Sequence, residues 1–149
     1  MVADEKFSLQ QVLNYRKEME RQRHREFVEA RQALFSAQVR LARELERSDR
    51  ILREMIKKQG EGIDASELLL YSSFSQRQKQ VISEQREEVD QRDREVESRR
   101  NSLLEASKEK KALEKFKERK MEVLRQEIML KERNFLDELS LPRGGGEKR

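Results

Sequence analysis

Before residue 141 the chain carries helix-breaking residues at only one place, Gly60 and Gly62. Its other glycines, Gly144 to Gly146, and its single proline, Pro142, lie at the C-terminal end. Inside a helix proline costs about 3 kcal/mol and glycine about 1 kcal/mol relative to alanine. Two long stretches free of both, on either side of one short gap, can therefore each run as a single helix. Their main residue types are Glu, Arg, Lys, Leu, Gln and Ala, all good helix formers. Only 34% of the 149 residues are hydrophobic and 43% are charged, too little apolar side chain for a thick globular core. High charge with few aromatics also suits disorder, but disordered chains lack the periodic apolar residues found here.

From Phe27 onward those residues fall on a heptad grid, with Phe27, Leu34 and Leu41 seven apart and Ala30 and Ala37 between them. The alternating steps of three and four make the narrow stripe of a coiled coil. The stripe continues through Leu45, Ile51, Leu52, Met55 and Ile56, and reaches back through Met19, Tyr15 and Val12. The eight-residue step from Met19 to Phe27 predicts a local phase slip. Ser8, with Gln11 three residues later, matches a capping box, so the first helix is expected over about 8–59.

The turn is expected at about 60–64, where two glycines permit left-handed backbone and Asp64-Ala-Ser-Glu67 supplies a new N-cap. A second helix then spans about 65–139, with Leu68, Tyr71, Phe74, Val81, Val89, Val96, Leu103, Ala106, Leu113 and Phe116 on its stripe. Leu141-Pro142 and the following glycines stop it, leaving a flexible tail over 140–149. Neither stripe is stable alone in water, so the fold class is all-α: one domain of two long helices in an antiparallel coiled-coil hairpin, the second longer than the first.

A turn near residue 62 puts residue i opposite about residue 124 − i, and Phe7 opposite about Lys117. Residues from about Glu118 to Leu139 then lack a partner and project about 33 Å. This segment carries Met121, Val123, Leu124, Ile128, Met129, Leu130, Phe135 and Leu136, and contiguous exposed apolar surface marks a binding site more often than a monomer surface. A first helix that bends, or a homodimer covering the same residues, is the plain alternative. A second apolar cluster, Tyr71 and Phe74 against Ile51, Leu52, Met55 and Ile56, sits beside the turn and equally suits a small core sealing it. Between the two, Gln78, Gln85, Arg92, Arg99 and Lys110 fall on or near the seam, which predicts a loosely specified, flexible middle.

Catalysis finds no footing in these residues. The one histidine, His24, stands among Arg21, Arg23 and Arg25, which disfavour a metal ion, and it reads as a solvated surface residue. Carboxylates pair with Lys or Arg three or four residues away, and a two-helix hairpin offers no small-molecule pocket. No phosphate-binding loop, activated nucleophile or metal motif is found, so neither enzyme activity nor a cofactor is expected. Without cysteine there is no disulfide framework, and no apolar run approaches the ~20 residues of a membrane span. The start MVADEKFSLQ lacks an apolar signal core, so the expected location is cytoplasmic. The net charge of +4 comes from 34 basic and 30 acidic residues interspersed along the chain, a solvated helix surface more than a nucleic-acid footprint. The most basic stretch, Lys108 to Lys120, is half-neutralised by Glu109, Glu114 and Glu118.

Three features carry a family resemblance. They are the Leu-x-x-x-Tyr-Arg-like start at Val12 to Arg16, Gly62-Ile63 followed by Tyr71-x-x-Phe74, and the C-terminal pattern of Ala106, Lys111, Leu113, Glu114, Lys115, Lys117, Glu118, Arg119, Asp137 and Glu138. Over nearly its full length the chain resembles the FliJ family of flagellar export proteins, which is similar to the YscO-type stalks of virulence type III secretion. The resemblance implies a non-enzymatic cytoplasmic stalk, monomeric when free, like the central shaft of a rotary ATPase. Its end formed by both termini would enter the hexameric export ATPase, and its hairpin side would contact the cytoplasmic domain of the membrane export gate. It would also assist export chaperones and associate peripherally with the inner membrane. By position, Met121, Leu124, Ile128 and Phe135 would face the ATPase, and Tyr71, Phe74 and Ile51 the gate. Glu44 and Arg47 stand where larger apolar residues are expected in the gate-facing patch. Two other readings stay open: a generic homodimeric structural coiled coil, and a basic helical nucleic-acid binder.

Overall fold

The computed structural model describes the backbone of residues 2–141 and the side chains of residues 8–141. Helix α1 covers Val2–Glu61 and helix α2 covers Ala65–Ser140, 60 and 76 residues long, and the two pack against each other as a helical hairpin. No strand is present among the described residues. Because α1 begins at Val2, Ser8 lies within the helix and does not cap it. Of the expected tail, Ser140 is still helical, and 142–149 lie outside the described residues.

The turn is tighter than its glycine content suggests, with only residues 62–64 outside the helices. Gly60 stays helical, and Gly62 alone takes a left-handed φ of 95°. Asp64 opens α2: its carbonyl accepts from the Leu68 N–H at 3.0 Å, and its carboxylate accepts from the Ser66 N–H and, at 2.9 Å, from the Ser66 hydroxyl. This satisfies donors that a helix start leaves orphaned.

The chain divides into two compact units, Met1–Glu18 with Ser107–Arg149, and Met19–Ala106. In the first, Arg16 pairs with Glu109 and the Lys117 ammonium donates to the Gln10 side chain. In the second, Arg99 donates to Glu26 at 3.2 Å and Arg40 to Glu88 at 2.7 Å. The pairings of 16 with 109 and of 26 with 99 lie one residue from the register expected for a turn at 62.

Burial along α1 corrects the predicted stripe. Val12 and Tyr15 are exposed, and the buried residue there is Leu13, at 3% exposure. From Leu13 the inward positions run through Arg16, Glu20, Arg23, Phe27, Ala30, Leu34, Ala37, Leu41, Glu44, Ser48, Ile51 and Met55, in unbroken steps of three and four. The phase slip before Phe27 is therefore absent. An apolar-only reading missed the register because charged Glu20 and Arg23 hold half-buried seam positions, where long stems pack against the partner helix. Toward the turn Leu45, Leu52 and Ile56 face outward, leaving Ile51 and Met55 on the seam.

The irregular spacing is in α2, where Val81, Gln85 and Val89 make two successive steps of four among the inward residues. Such an insertion locally unwinds the supercoil. Of the polar residues expected on the seam, Gln78 is buried at 5% exposure, Gln85, Arg99 and Lys110 are half-buried, and Arg92 is exposed. Gln78 donates to both the Glu44 carbonyl at 3.0 Å and the Glu44 carboxylate at 2.6 Å, so a buried amide is matched across the helices. Among the described residues the buried apolar ones are Leu13, Ala30, Ala37, Val96 and Ala106, with Ala37 wholly covered.

The two glycines of the turn region make opposite demands on a side chain, although a Cβ at either would meet nothing within 4 Å. Gly62→Ala is expected to destabilise by about 1–2 kcal/mol, the cost of left-handed backbone for an L-residue. Gly60→Ala, within a helix, is expected to stabilise by about 0.5–1 kcal/mol. Thermal unfolding followed by circular dichroism reads both, and a shift of the same sign for the two would contradict the turn geometry.

Candidate partner-binding surfaces

The inward positions of α2 end at Met121 and Leu124, and every described residue from Arg125 to Leu141 is exposed. Met121 shares a cleft with Leu13 and Lys17 of α1 and with Lys117 and Glu118 of its own helix, so it belongs to the packed seam. The unpartnered segment thus starts after Leu124, not near Glu118, and its 16 helical residues to Ser140 project about 24 Å. Ile128, Phe135 and Leu139 continue the line of Met121 and Leu124 at helical spacing, which makes them a seam running on beyond its partner helix. Ile128 is 48% exposed and Phe135 60%, with Met129 and Leu136 exposed beside them. Of the four residues named for this surface, Met121 and Leu124 are half-buried and only Ile128 and Phe135 stand free.

Beside the turn, Tyr71, Phe74 and Ile51 are all half-buried, and cations cover the two aromatics. Arg47 lies 5.4 Å from the centre of the Phe74 ring and Lys58 lies 5.7 Å from that of Tyr71. A hydrogen bond with Tyr71 and the nearby Glu67 carboxylate hold the Lys58 ammonium above its ordinary pKa. Arg47 and Glu44, unexpectedly polar for this patch, therefore have packing roles, Arg47 on Phe74 and Glu44 as acceptor for buried Gln78. The free apolar surface here is instead Leu69 and Leu70, both 70% exposed, with Ile56 at 58% on α1. The sequence signal for these leucines was available: three successive leucines cannot all turn toward one partner helix, because neighbours differ by ~100° around the axis. His24 is exposed.

The family model described as the flagellar FliJ protein matches residues 5–148. The chain belongs to the FliJ family. Comparison with curated proteins and with solved structures finds no match. Membership makes this a flagellar export-related protein, and no helix among the described residues is long and apolar enough to cross a membrane.

In this FliJ-family chain a polar link across the Met19–Ala106 unit converges on Glu26. Its carboxylate accepts from Arg23 one turn away, at 3.0 Å, and from Arg99 on α2, at 3.2 Å. Arg99 also donates to Glu95 at 2.8 Å, which ties the network along α2. Hydrogen bonds from Arg23 and then Gln22 lower the Glu26 pKa, with the charges of Arg23 and Arg99 adding to the effect. A depressed carboxylate stabilises the fold above its unfolded value and loses that contribution as pH falls through the folded one. Carboxyl NMR titration is expected to find Glu26 below the ordinary glutamate range, with Arg23→Gln raising it more than Arg99→Gln. Equal midpoints in all three proteins would show that the network does not persist in solution.

Proposed function

We propose that this chain is a non-enzymatic stalk of the flagellar export apparatus, which binds the hexameric export ATPase through the unpartnered end of α2. The observation that carries this reading is the apolar line from Met121 and Leu124 through Ile128 and Phe135, which outruns α1 and is left open to solvent. Contiguous exposed apolar surface on a helix suits helix-in-groove recognition. The surface beside the turn, with Leu69 and Leu70 added to Tyr71, Phe74 and Ile51, contacts the cytoplasmic domain of the export gate. In this role the protein works in the cytoplasm, is held at the inner membrane through its partners, and assists export chaperones. Its contribution is contact and transmission, with no bond-making chemistry, cofactor or nucleic acid.

The reading expects a monomer when free, whereas a generic coiled coil with a self-association seam expects a tight dimer. A concentration series in the analytical ultracentrifuge separates the two.

The decisive experiment pairs the chain with its cognate export ATPase and compares wild type with Ile128→Asp plus Phe135→Asp. Both residues are exposed, so helicity should be unchanged, while binding and ATPase stimulation should fall at least roughly tenfold with the loss of two apolar contacts. No interaction by the wild-type chain, or full stimulation by the variant, rejects this assignment of the α2 end. Leu69→Asp with Leu70→Asp should weaken binding to the gate's cytoplasmic domain at least roughly tenfold and leave ATPase stimulation intact. Loss of ATPase stimulation in that variant would show that the two surfaces are misassigned.

A further inference from the structure

The α1 seam leaves an outer face that should be wholly polar, because a two-helix hairpin needs only one apolar stripe per helix. Within the Met19–Ala106 unit that face instead carries exposed Val28, Phe35 and Ala42, with Val39 half-buried among them. Phe35 is 67% exposed, the most exposed aromatic on the described chain, and Val28 is 37% exposed. With Gln32 between them, these residues step by four and three, from Val28 to Gln32, Phe35, Val39 and Ala42. This is the spacing of a second coiled-coil stripe, on the side of α1 turned away from the first. A shallow groove along it is lined by Val28, Arg31, Gln32, Phe35 and Ser36.

The charge beside this second seam is one-sided. Between residues 19 and 46, Arg21, Arg25, Arg31 and Arg43 lie on or next to the stripe, against the two carboxylates Glu29 and Glu46. The whole chain, by contrast, is nearly balanced at 34 basic to 30 acidic residues. We propose that the outer face of α1 around Val28, Phe35 and Val39 docks an acidic amphipathic helix of another protein. The stepping of three and four matches the knobs of a second helix, and the arginines meet carboxylates flanking that helix's apolar seam. Two copies of this face would bring arginines together, so the charge works against self-association through it. A polar Gln32 in the centre of the stripe and an apolar width of one residue suit a helix better than a lipid surface, which favours a broad apolar face. The face is separate from both surfaces assigned above, and its occupancy does not depend on that assignment.

The test uses a synthetic peptide of about four heptads with leucine at its two seam positions and glutamate flanking them, a pattern whose like charges discourage self-pairing. Its fluorescence anisotropy is titrated with the full chain, with Phe35→Ser plus Val39→Ser, and with the same peptide carrying lysine for glutamate. Expected are saturable binding of the acidic peptide to wild type, at least tenfold weaker binding to the variant, and at least tenfold weaker binding of the lysine peptide. Circular dichroism confirms that the variant keeps its helicity. The proposal is overturned if the acidic peptide does not bind, binds the variant equally well, or binds no better than the lysine peptide. It is equally overturned if wild type binds phosphatidylglycerol vesicles in preference to the peptide and loses this in the variant. A concentration-dependent dimer that disappears in the variant would assign the face to a second copy and overturn it too.

Discussion

Everything in this protein depends on a contact surface between α1 and α2 that is narrow and built largely from small residues. Among the described residues, three of the five buried apolar side chains are alanines, Ala30 and Ala37 on α1 and Ala106 on α2. Burying a leucine-sized side chain contributes roughly 1.5–3 kcal/mol and an alanine much less, so no single position dominates the packing. Stability is spread along the helices and comes from the sum of many half-buried stems. The cross-helix ion pairs Arg16 with Glu109 and Arg40 with Glu88 are each partly open to solvent and contribute at most about 1 kcal/mol.

The polar residues on this seam do more to fix register than to add stability. Gln78 is buried and satisfied only because the Glu44 carbonyl and carboxylate both lie within its reach. Sliding α2 by one turn would leave a buried amide without acceptors, a cost of roughly 1–3 kcal/mol that purely apolar packing would not impose. Arg47 on Phe74 and Arg99 on Glu26 add further cross-helix matches that depend on register. A seam short of large apolar groups thus still selects one alignment.

A thin seam also explains why so much apolar side chain is left outside. Two helices of unequal length can cover each other only as far as the shorter one reaches, so the line of Met121 and Leu124 continues uncovered through Ile128 and Phe135. Beside the turn, Leu69 and Leu70 point away because the partner helix faces only one side of α2. On the outer face of α1, Phe35 and Val28 have no second layer to pack against. Each arises from the same geometry, in which a hairpin of two helices buries one stripe of each and exposes the remainder.

The sequence alone determined the helices, the turn between them and the greater length of the second, because glycine and proline act locally on backbone conformation whatever surrounds them. It also determined that the C-terminal part of α2 outruns α1, but set its start near Glu118 where the structure has it after Leu124, because α1 begins at Val2 and reaches further than its capping pattern indicated. Only the tertiary structure decided which residues face inward before Phe27. Leu13 takes the seam from exposed Val12 and Tyr15 there, and Glu20 and Arg23 hold half-buried positions, because a partner helix selects positions by spacing and accepts a charged residue whose stem it can cover. Tertiary packing likewise decided that Met121 shares a cleft with α1 and that Tyr71 and Phe74 lie beneath Lys58 and Arg47. Burial and cation contacts belong to pairs of residues far apart in the chain, and no local pattern of residue types specifies them.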